Sequence, residues 1–535
     1  MVKVMEVNNL VDLQNLEARI RQQIQQHDLD DFLGTLLLSR TQFKPFVIAG
    51  MTLFGIRFAL PPIKRYASVK HIPPGEFNSI AHCVTEYLLA DPSPFSPQLK
   101  STYHGSTLIP IVLRHVGNQF PFNETFWGQG GRSIYLFKEI PKTLKLKNNK
   151  FDLNFVFTKH YGVSLDDFIS VSYVAFSAAN ANRARGRVGF SGGYFQKARE
   201  QGMTPPDGVT VDAIMDKLAA DQWQMREVYE KFKQPDRNYA AYDYNPLFVY
   251  PIVRPWRKSS FTSADEDRFV APLPELILTR LSSGVYEDLT YNFKSAFTNY
   301  FGHVFEKYVG EVLRHCVGPS SIISGEEIRH TYSDKRGKAP DWAIIEGDKA
   351  ILVECKAVGY QKKALAMGDE TTIDRTVDKI AEGLVQMHEF KAACLRTEPG
   401  LERFHACAEY KLLLITYEPV YLSNSKDLHS VLEAKVSDEL RPKGLSVSSW
   451  VIWSIDEMEK LQPHLNASVS MRSAIDQYNP SDFNELLSEL HAQTGCTFKD
   501  SFLALKEQEI YHSLGVTRPR PGLNKLDLIQ GLLRP

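Results

Sequence analysis

Residues 339–357 read APDWAIIEGDKAILVECKA, and this stretch has the pattern of a β-hairpin. Two apolar runs, at 342–345 and 350–353, flank Gly347 and Asp348, a residue pair typical of tight turns between antiparallel strands. The stretch therefore predicts two antiparallel strands that are joined by a short turn.

The chemically active side chains of this stretch stand at the ends of the two runs. Asp341 opens the first predicted strand, and Glu354 and Lys356 close the second. In an antiparallel pair the start of one strand lies beside the end of the next, which brings Asp341 near Glu354. Period-two alternation puts Glu354 and Lys356 on one face and turns Cys355 to the other. Two carboxylates and an ammonium group are therefore expected at one place.

Two neighbouring carboxylates repel each other unless a cation joins them. Mg²⁺ prefers oxygen ligands and is usually held by one or two carboxylates together with substrate phosphate. The ammonium group of Lys356 beside such a site can orient or deprotonate a water molecule, or neutralise the charge that develops on a phosphorane. Metal-assisted phosphodiester hydrolysis is the reaction class that this set of side chains indicates.

The stretch resembles the core motif of the PD-(D/E)XK nuclease superfamily. The Pro-Asp pair at 340–341 matches the first half of the motif, and Glu-Cys-Lys at 354–356 matches the second. The resemblance covers about residues 290–420 and implies a restriction-endonuclease-like core with the order α-β-β-β-α-β.

The same resemblance implies roles for the individual residues. Asp341, Glu354 and the Cys355 carbonyl would hold Mg²⁺, with Mn²⁺ as an alternative, and Lys356 would position or activate the attacking water. The substrate that it implies is nucleic acid, in the first place DNA.

An ordinary edge hairpin with a solvated Glu/Lys pair is the alternative interpretation. The tripeptide Glu-x-Lys is weak by itself, because it recurs at Glu389, Glu409 and Glu433. Only the pairing of Asp341 with Glu354 puts an Asp and a Glu-x-Lys at neighbouring ends of two consecutive apolar runs. That pairing favours the catalytic interpretation.

A helix predicted at about 293–317 precedes the motif, and a first strand is predicted at 321–332. Glu306 borders the apolar face of this helix. Members of the superfamily often carry a supporting acidic residue here, so the resemblance makes Glu306 a catalytic candidate. A surface pair with Lys307 is the alternative.

A second helix is predicted at 374–395, followed by a strand at 410–417. Gln386 and Phe390 on this helix resemble the Gln-x-x-x-Tyr element of RecB-like members, with Phe in place of Tyr. Gln386 can reach the metal-site Glu or the DNA backbone, and Lys379 can contact a phosphate. Both side chains can equally face solvent.

The composition is that of a globular protein without global basicity. With 535 residues the chain exceeds the about 250–300 residues at which single cores stop growing, so more than one domain is expected. The net charge of -1 restricts any nucleic-acid surface to a local patch. The six cysteines form no C-x-x-C pair, and no signal-peptide core or membrane segment is visible, so we expect a cytoplasmic protein.

One basic segment is a candidate nucleic-acid surface, and its cations are Arg183, Arg185, Arg187, Lys197 and Arg199. Glycines and aromatic residues alternate with these cations. Guanidinium groups beside aromatic rings suit backbone phosphates and stacked bases. A solvated surface loop is an equally weighted alternative.

Three parts of the chain are expected: a mixed α/β N-terminal region at 1–268, the nuclease-like domain at 269–465 and a helical extension at 466–535. The N-terminal region is a candidate for recognition or regulation, and for contact with a partner protein or a second copy of the chain. Its predicted elements include strands at 108–113, 133–137 and 151–157 and one long helix at 211–233.

These observations predict a metal-dependent endonuclease, with restriction or antiphage defence as the expected setting, because nuclease cores with a large extra domain occur there. A DNA repair or transposition enzyme with the same chemistry is one alternative. A non-catalytic nucleic-acid-binding or scaffold protein is another. Inactive copies usually lose the Lys or a carboxylate, and this chain retains Asp341, Glu354 and Lys356.

Overall fold

The computed structural model of the chain describes residues 10–61, 71–89, 104, 108–123, 128–144, 151–184, 190, 193–200, 204–234, 237–254, 269–332, 339–360, 369–421, 425–467, 469–478 and 483–513. Of the candidate residues, Arg185 and Arg187 lie outside these ranges, and Arg183 is described only in its backbone.

Helices dominate the described part of the N-terminal region. They are α1 (Leu10–Ile24), α2 (Leu29–Ser39), α3 (Pro45–Phe58), α4 (Pro74–Leu89), α5 (Leu108–Asn123), α6 (Gln129–Ile134), α7 (Ile140–Thr143), α8 (Leu153–Tyr161), α9 (Leu165–Ala184), α10 (Gly193–Glu200), α11 (Gly208–Leu218) and α12 (Gln222–Phe232). Two three-residue strands, β1 (Ala219–Asp221) and β2 (Ile252–Arg254), pair in parallel.

Several strands predicted in this region are wrong. The segment at 108–113 lies in α5, and residues 153–157 of the segment at 151–157 lie in α8. The segment at 133–137 lies in α6 and its π-helical continuation, Tyr135–Glu139. The long helix predicted at 211–233 is also wrong, because β1 separates α11 from α12.

The second half of the chain contains a five-stranded sheet in the order β3-β4-β5-β6-β7. The strands are β3 (Ile322–Ser324), β4 (Trp342–Glu346), β5 (Lys349–Lys356), β6 (Glu409–Thr416) and β7 (Trp450–Ser454). β4 is antiparallel to both of its neighbours, whereas β5, β6 and β7 run parallel. The accompanying helices are α13 (Glu275–Leu281), α14 (Ser283–Val317), α15 (Gly325–Thr331), α16 (Glu370–Leu395), α17 (Lys426–Leu440), α18 (Ile455–Ala467), α19 (Met471–Gln477), α20 (Phe483–Thr494) and α21 (Phe502–Ser513).

The hairpin predicted at 339–357 is confirmed. Trp342 pairs with Val353 and Glu346 with Lys349, so that a two-residue turn connects β4 to β5. The first turn residue, Gly347, has φ 66, a left-handed conformation that costs a glycine little.

The first strand of this core is much shorter than predicted. β3 ends at Ser324, where a strand was expected over 321–332. The Ser324 side chain accepts a hydrogen bond from Glu327 N, and Glu327 bonds back to Ser324 N, which makes a capping box that starts α15. The chain therefore turns into a helix before it reaches β4.

Helices cover both faces of the sheet. Trp342, Val353 and Ile415 belong to the core cluster that contains the buried side of α14, whereas Leu352 and Leu414 belong to the cluster with α16. The coarse prediction of a mixed α/β fold is confirmed. None of the described helices is both long enough and apolar enough to cross a membrane.

Candidate active site

Asp341 and Glu354 face each other at the open end of the β4–β5 hairpin. The pairing of Trp342 with Val353 fixes the register, and one step outward Asp341 lies opposite Glu354. Asp341 Oδ2 accepts a hydrogen bond of 2.9 Å from Cys355 N. The structure thus brings together the Asp and Glu that the sequence pattern paired.

Glu354 is 2% exposed, and each of its oxygens has a partner. Oε1 accepts a hydrogen bond from Lys356 Nζ at 2.8 Å, and Oε2 accepts one from Gln386 Nε2 at 3.0 Å. The Gln386 amide also donates to the Ala339 carbonyl at 2.8 Å, which connects α16 to the segment before β4. Of the alternatives for Gln386, the contact with the candidate metal-site Glu is the one observed.

A glycine of α16 makes room for these side chains. A Cβ atom built on Gly383 would lie 2.8 Å from Lys356 Cε, 3.1 Å from Glu354 Cγ and 3.0 Å from Leu414 Cδ1. Real Cβ atoms essentially never lie closer than 3.0 Å to such atoms, so the 2.8 Å contact with Lys356 Cε would force a shift. Any larger residue at position 383 would therefore have to displace Lys356.

Burial raises the free energy of the charged forms of Asp341, Glu354 and Lys356. Burial and the nearby charge of Asp341 raise the pKa of Glu354 to about 8, and burial also raises the pKa of Asp341. Burial by itself would lower the pKa of Lys356, but the charges of Glu354 and Asp341 outweigh it and raise this pKa above its usual value. The two carboxylates therefore tend to share a proton or attract a cation.

Cys355 offers its backbone to the site and its thiol to the opposite face. The Cys355 side chain packs against the core cluster of α14, and burial raises the pKa of the thiol, which makes the sulfur a poor metal ligand. The N–H and C=O of one residue in a strand point to the same side. Because the N–H donates to Asp341, the Cys355 carbonyl also faces the Asp341 side of β5.

Glu306 approaches the site from α14. Trp342 Nε1 donates to the Glu306 carbonyl at 2.9 Å, and the indole fits over Gly310 of the same helix. Burial, and then the charge of Asp341, raise the pKa of the Glu306 carboxyl group to about 7. The alternative was a surface pair with a nearby Lys such as Lys307, but Lys307 Nζ lies 3.7 Å from Glu326 Oε2, and the partner of Glu306 Oε2 is His303 Nδ1 at 3.9 Å.

Other predicted contacts are not part of this group. Lys379 is exposed on α16. Lys197 and Arg199 are exposed on α10, but the aromatic residues interleaved with the basic segment, Phe190 and Phe195, are only 3% and 1% exposed. These rings pack in the core and are not available to stack on bases.

Sequence reasoning missed Gly383 and Arg329. Arg329, on α15, is close enough for its charge to oppose the rise in the pKa of Asp341 and of Glu306. Gly383 lies three residues before Gln386 in the helix predicted at 374–395, and a glycine within a strong helix pattern was the available signal.

Within the described ranges, no three side chains of His, Cys, Asp or Glu are grouped so that they could hold a metal ion. The oxygen donors that converge are therefore two carboxylates, Asp341 and Glu354, and the backbone carbonyl of Cys355. Such a set of hard oxygen donors fits Mg²⁺ or Mn²⁺, which complete their coordination with water and substrate oxygens.

In comparisons with known proteins, no protein-family model, no curated protein and no solved structure matches this chain. The function is therefore inferred from the geometry of the site.

Proposed function

We propose that this protein is a metal-dependent endonuclease that hydrolyses phosphodiester bonds of DNA. The observation that carries the proposal is the position of Asp341 opposite Glu354, with the Lys356 ammonium group 2.8 Å from Glu354 Oε1. Two carboxylates that can hold a metal ion, with a cationic side chain beside them, suit metal-assisted phosphoryl transfer.

The residues present fit a divalent metal ion. Asp341, Glu354 and the Cys355 carbonyl would hold it, and when bound it would act as a Lewis acid toward the scissile phosphate and lower the pKa of a water molecule. Both carboxylates have raised pKa values. A divalent cation bound by both carboxylates would offset the free-energy cost of burying their negative charges.

Lys356 would act on the reacting atoms. Its ammonium group lies on the same face of β5 as Glu354 and can donate hydrogen bonds to the attacking water or to a phosphate oxygen. Gln386 would be a positioning residue, because its amide holds Glu354 Oε2 and the Ala339 carbonyl at once. Glu306 would support the site from α14.

The order of elements supports the resemblance to PD-(D/E)XK nucleases. α14, β3, β4, β5, α16 and β6 follow one another as α-β-β-β-α-β, with α15 added between β3 and β4. The Pro-Asp pair precedes β4 and the Glu-Cys-Lys tripeptide ends β5, as in the motif. Phe390 of α16, where RecB-like members have Tyr, has no hydroxyl to offer the site, and its ring is 2% exposed and packs in the core.

DNA is the proposed substrate because the superfamily mostly cuts DNA. Arg329 and Lys307 supply positive charge on the same side of the molecule as Asp341 and Glu306 and would attract a phosphate backbone. Restriction or antiphage defence is the proposed setting, with the large helical N-terminal region as the part that recognises a target or a trigger.

A cleavage assay tests the proposal. Supercoiled plasmid DNA and a structured RNA are each incubated with the purified chain in Mg²⁺, in Mn²⁺ or in EDTA. We expect nicked or linear plasmid in either metal and none in EDTA or with Asp341→Asn. Absence of cleavage of both nucleic acids in both metals would contradict the proposal and favour a non-catalytic binding protein.

A further inference from the structure

A polar cavity lies in the N-terminal region, outside the candidate active site. It has a volume of about 340 Å³ and opens between α1, α3, α12 and the segment that follows α12. Its lining residues are Glu17, Arg21, Arg57, Phe58, Arg226, Tyr229, Glu230, Lys233 and Arg237. Five cationic side chains therefore share one cavity with two carboxylates.

The carboxylates nearby do not neutralise all of these cations. Glu17 Oε1 is shared, since it pairs with Arg57 and also lies 3.8 Å from Arg21 Nη2. Lys233 pairs with Glu230 of the lining. Two guanidinium groups thus depend on a single carboxylate.

Asp243, which is not a lining residue, neutralises Arg237. Its Oδ2 lies 3.0 Å from Arg237 Nη1, and the side chain is nearly inaccessible to solvent. The buried carboxylate of Asp243 therefore largely neutralises the charge of Arg237.

Arg226 has no carboxylate partner among the described residues. Its Nε donates to the Ile56 carbonyl at 2.6 Å and its Nη2 to the Ala59 carbonyl at 3.2 Å. Burial lowers the pKa of Arg226, and no neighbouring acid opposes this effect. A partly buried guanidinium group without a counter-ion is expensive unless an anion binds beside it.

Arg57 is held in place before any ligand arrives. Its side chain is 9% exposed, and its guanidinium carbon lies 4.6 Å from the Phe58 ring centre and 4.5 Å from that of Tyr229. Such stacking fixes the planar group and lowers the entropy lost when a ligand binds.

We propose that this cavity binds a small phosphate-bearing ligand of the size of a nucleotide, with Arg226 and Arg57 as its main phosphate contacts. Planar guanidinium groups bind phosphate oxygens in pairs, and small-ligand sites in proteins start at about 300 Å³. The proposal is independent of nuclease activity, because none of the lining residues belongs to the candidate active site. A ligand here would act on the region that we propose recognises a target or a trigger.

The alternative is that Arg226 only caps a helix. The Ile56 and Ala59 carbonyls lie at the C-terminal end of α3, where a cation is favourable. Gln222 donates to the same two carbonyls, at 3.1 and 2.9 Å, but carries no charge. Gln222 is therefore the matched control for the loss of these cap bonds.

The test is calorimetric titration of the full chain with ATP and with inorganic tripolyphosphate. Four proteins are compared: wild type, Arg226→Gln, Arg226→Lys and Gln222→Met. We expect both probes to bind wild type, and Arg226→Gln to weaken binding about tenfold or more, as for loss of a charge-assisted hydrogen bond. Arg226→Lys should retain an intermediate affinity, and Gln222→Met should stay within about twofold of wild type. The thermal midpoint without ligand shows that each variant is folded.

Three outcomes would overturn the proposal. Neither probe binds wild type at millimolar concentration, or Gln222→Met loses as much affinity as Arg226→Gln, or Arg226→Gln binds both probes as wild type does. If neither small probe binds but a 5′-hydroxyl oligonucleotide does, and Arg226→Gln loses that binding, the cavity binds a nucleic-acid backbone instead. An inactive Asp341 variant should bind ATP as wild type does, which separates this proposal from the proposed nuclease.

Discussion

Gly383 of α16 lies against the side chain of Lys356 at the end of β5, with room for no more than a hydrogen atom between them. A Cβ atom at position 383 would be 2.8 Å from Lys356 Cε and 3.1 Å from Glu354 Cγ. The helix and the strand therefore fix the path of the Lys356 side chain toward Glu354. A residue without a side chain thus helps to position the ammonium group of Lys356 in the site.

Replacing Gly383 by alanine should lower plasmid nicking by about tenfold or more, because Lys356 must move from its position beside Glu354. Stability should change little, since alanine gains about 1 kcal/mol of helix propensity that offsets the crowding. Nicking rates and urea midpoints measure the two effects. Gly302→Ala is the matched control, because a Cβ atom there meets nothing within 4 Å. Equal nicking by the two alanine variants would contradict the positioning of Lys356.

Replacing Gln386 by methionine should weaken Mg²⁺ affinity or nicking by about 10–100-fold, the usual effect of losing a hydrogen bond to a metal ligand. The physical reason is that Glu354 Oε2 loses the donor that orients it, while Lys356 still holds Oε1. Calorimetric titration with Mg²⁺ or Ca²⁺, together with nicking rates, measures the change. Wild-type metal affinity and rate in Gln386→Met would show that the amide is only structural.

The metal-free protein should lose stability as the pH rises. Folded Glu354 has a pKa of about 8 and the unfolded group one near 4.5, so the folded state binds more protons between these values. The stabilising contribution is complete below about pH 4.5 and is lost as the pH rises through about 8.

Urea unfolding in EDTA at about pH 5, 6.5 and 8 measures this dependence. Glu354→Gln should flatten this dependence. Mg²⁺ should raise the stability of the wild type at the highest pH, because a bound dication offsets the charge of the ionised carboxylates. If the free energy of unfolding in EDTA has the same pH dependence in wild type and in Glu354→Gln, the dependence does not arise from Glu354.

The sequence predicted what is determined locally. The β4–β5 register follows from a two-residue turn, so the meeting of Asp341 with Glu354 could be derived from alternation and turn chemistry alone. The distances from Gly383 and Gln386 to Asp341 and Glu354 could not be derived in this way, because they depend on how α16 packs across the sheet.

The elements that the sequence did not predict depend on contacts between segments that are distant in the chain. Ala219–Asp221 interrupts a helical pattern because it pairs in parallel with Ile252–Arg254, more than thirty residues away. A local signal for the restart did exist: Asp221 and Gln224 form a capping box at the start of α12. The apolar runs between 108 and 157 fit a strand or a buried helix equally well, and only packing against neighbours selects the helix.

A buried ion network beside the sheet predicts a large loss of stability on mutation. Arg132 is 2% exposed and Glu459 0%, and Arg132 Nε donates to Glu459 Oε1 at 3.0 Å. Among the described residues, Arg132→Met would leave the Glu459 charge with only the Tyr308 hydroxyl as a donor.

The free energy of unfolding of Arg132→Met should therefore fall by about 3–5 kcal/mol, the cost of an unpaired buried charge. Lys435→Met is the control: it removes partly exposed ion pairs with Asp374 and Asp378 and should cost less than about 1 kcal/mol. Urea unfolding measures both. Similar losses in the two variants would mean that the buried network contributes no more than a surface pair.

We propose that Lys356 acts on the reacting atoms, and a matched pair of lysine variants tests this role. Lys356 ends one Glu-x-Lys tripeptide, and Lys411 ends another on the neighbouring strand, where it pairs with Asp476 at 2.5 Å. The measurement is the rate of nicking of supercoiled plasmid in Mg²⁺, with Ca²⁺ titration to verify that the metal site is intact. We predict that Lys356→Met retains metal binding and loses nicking by about 100-fold or more, whereas Lys411→Met nicks as wild type does. Wild-type nicking by Lys356→Met would contradict the account.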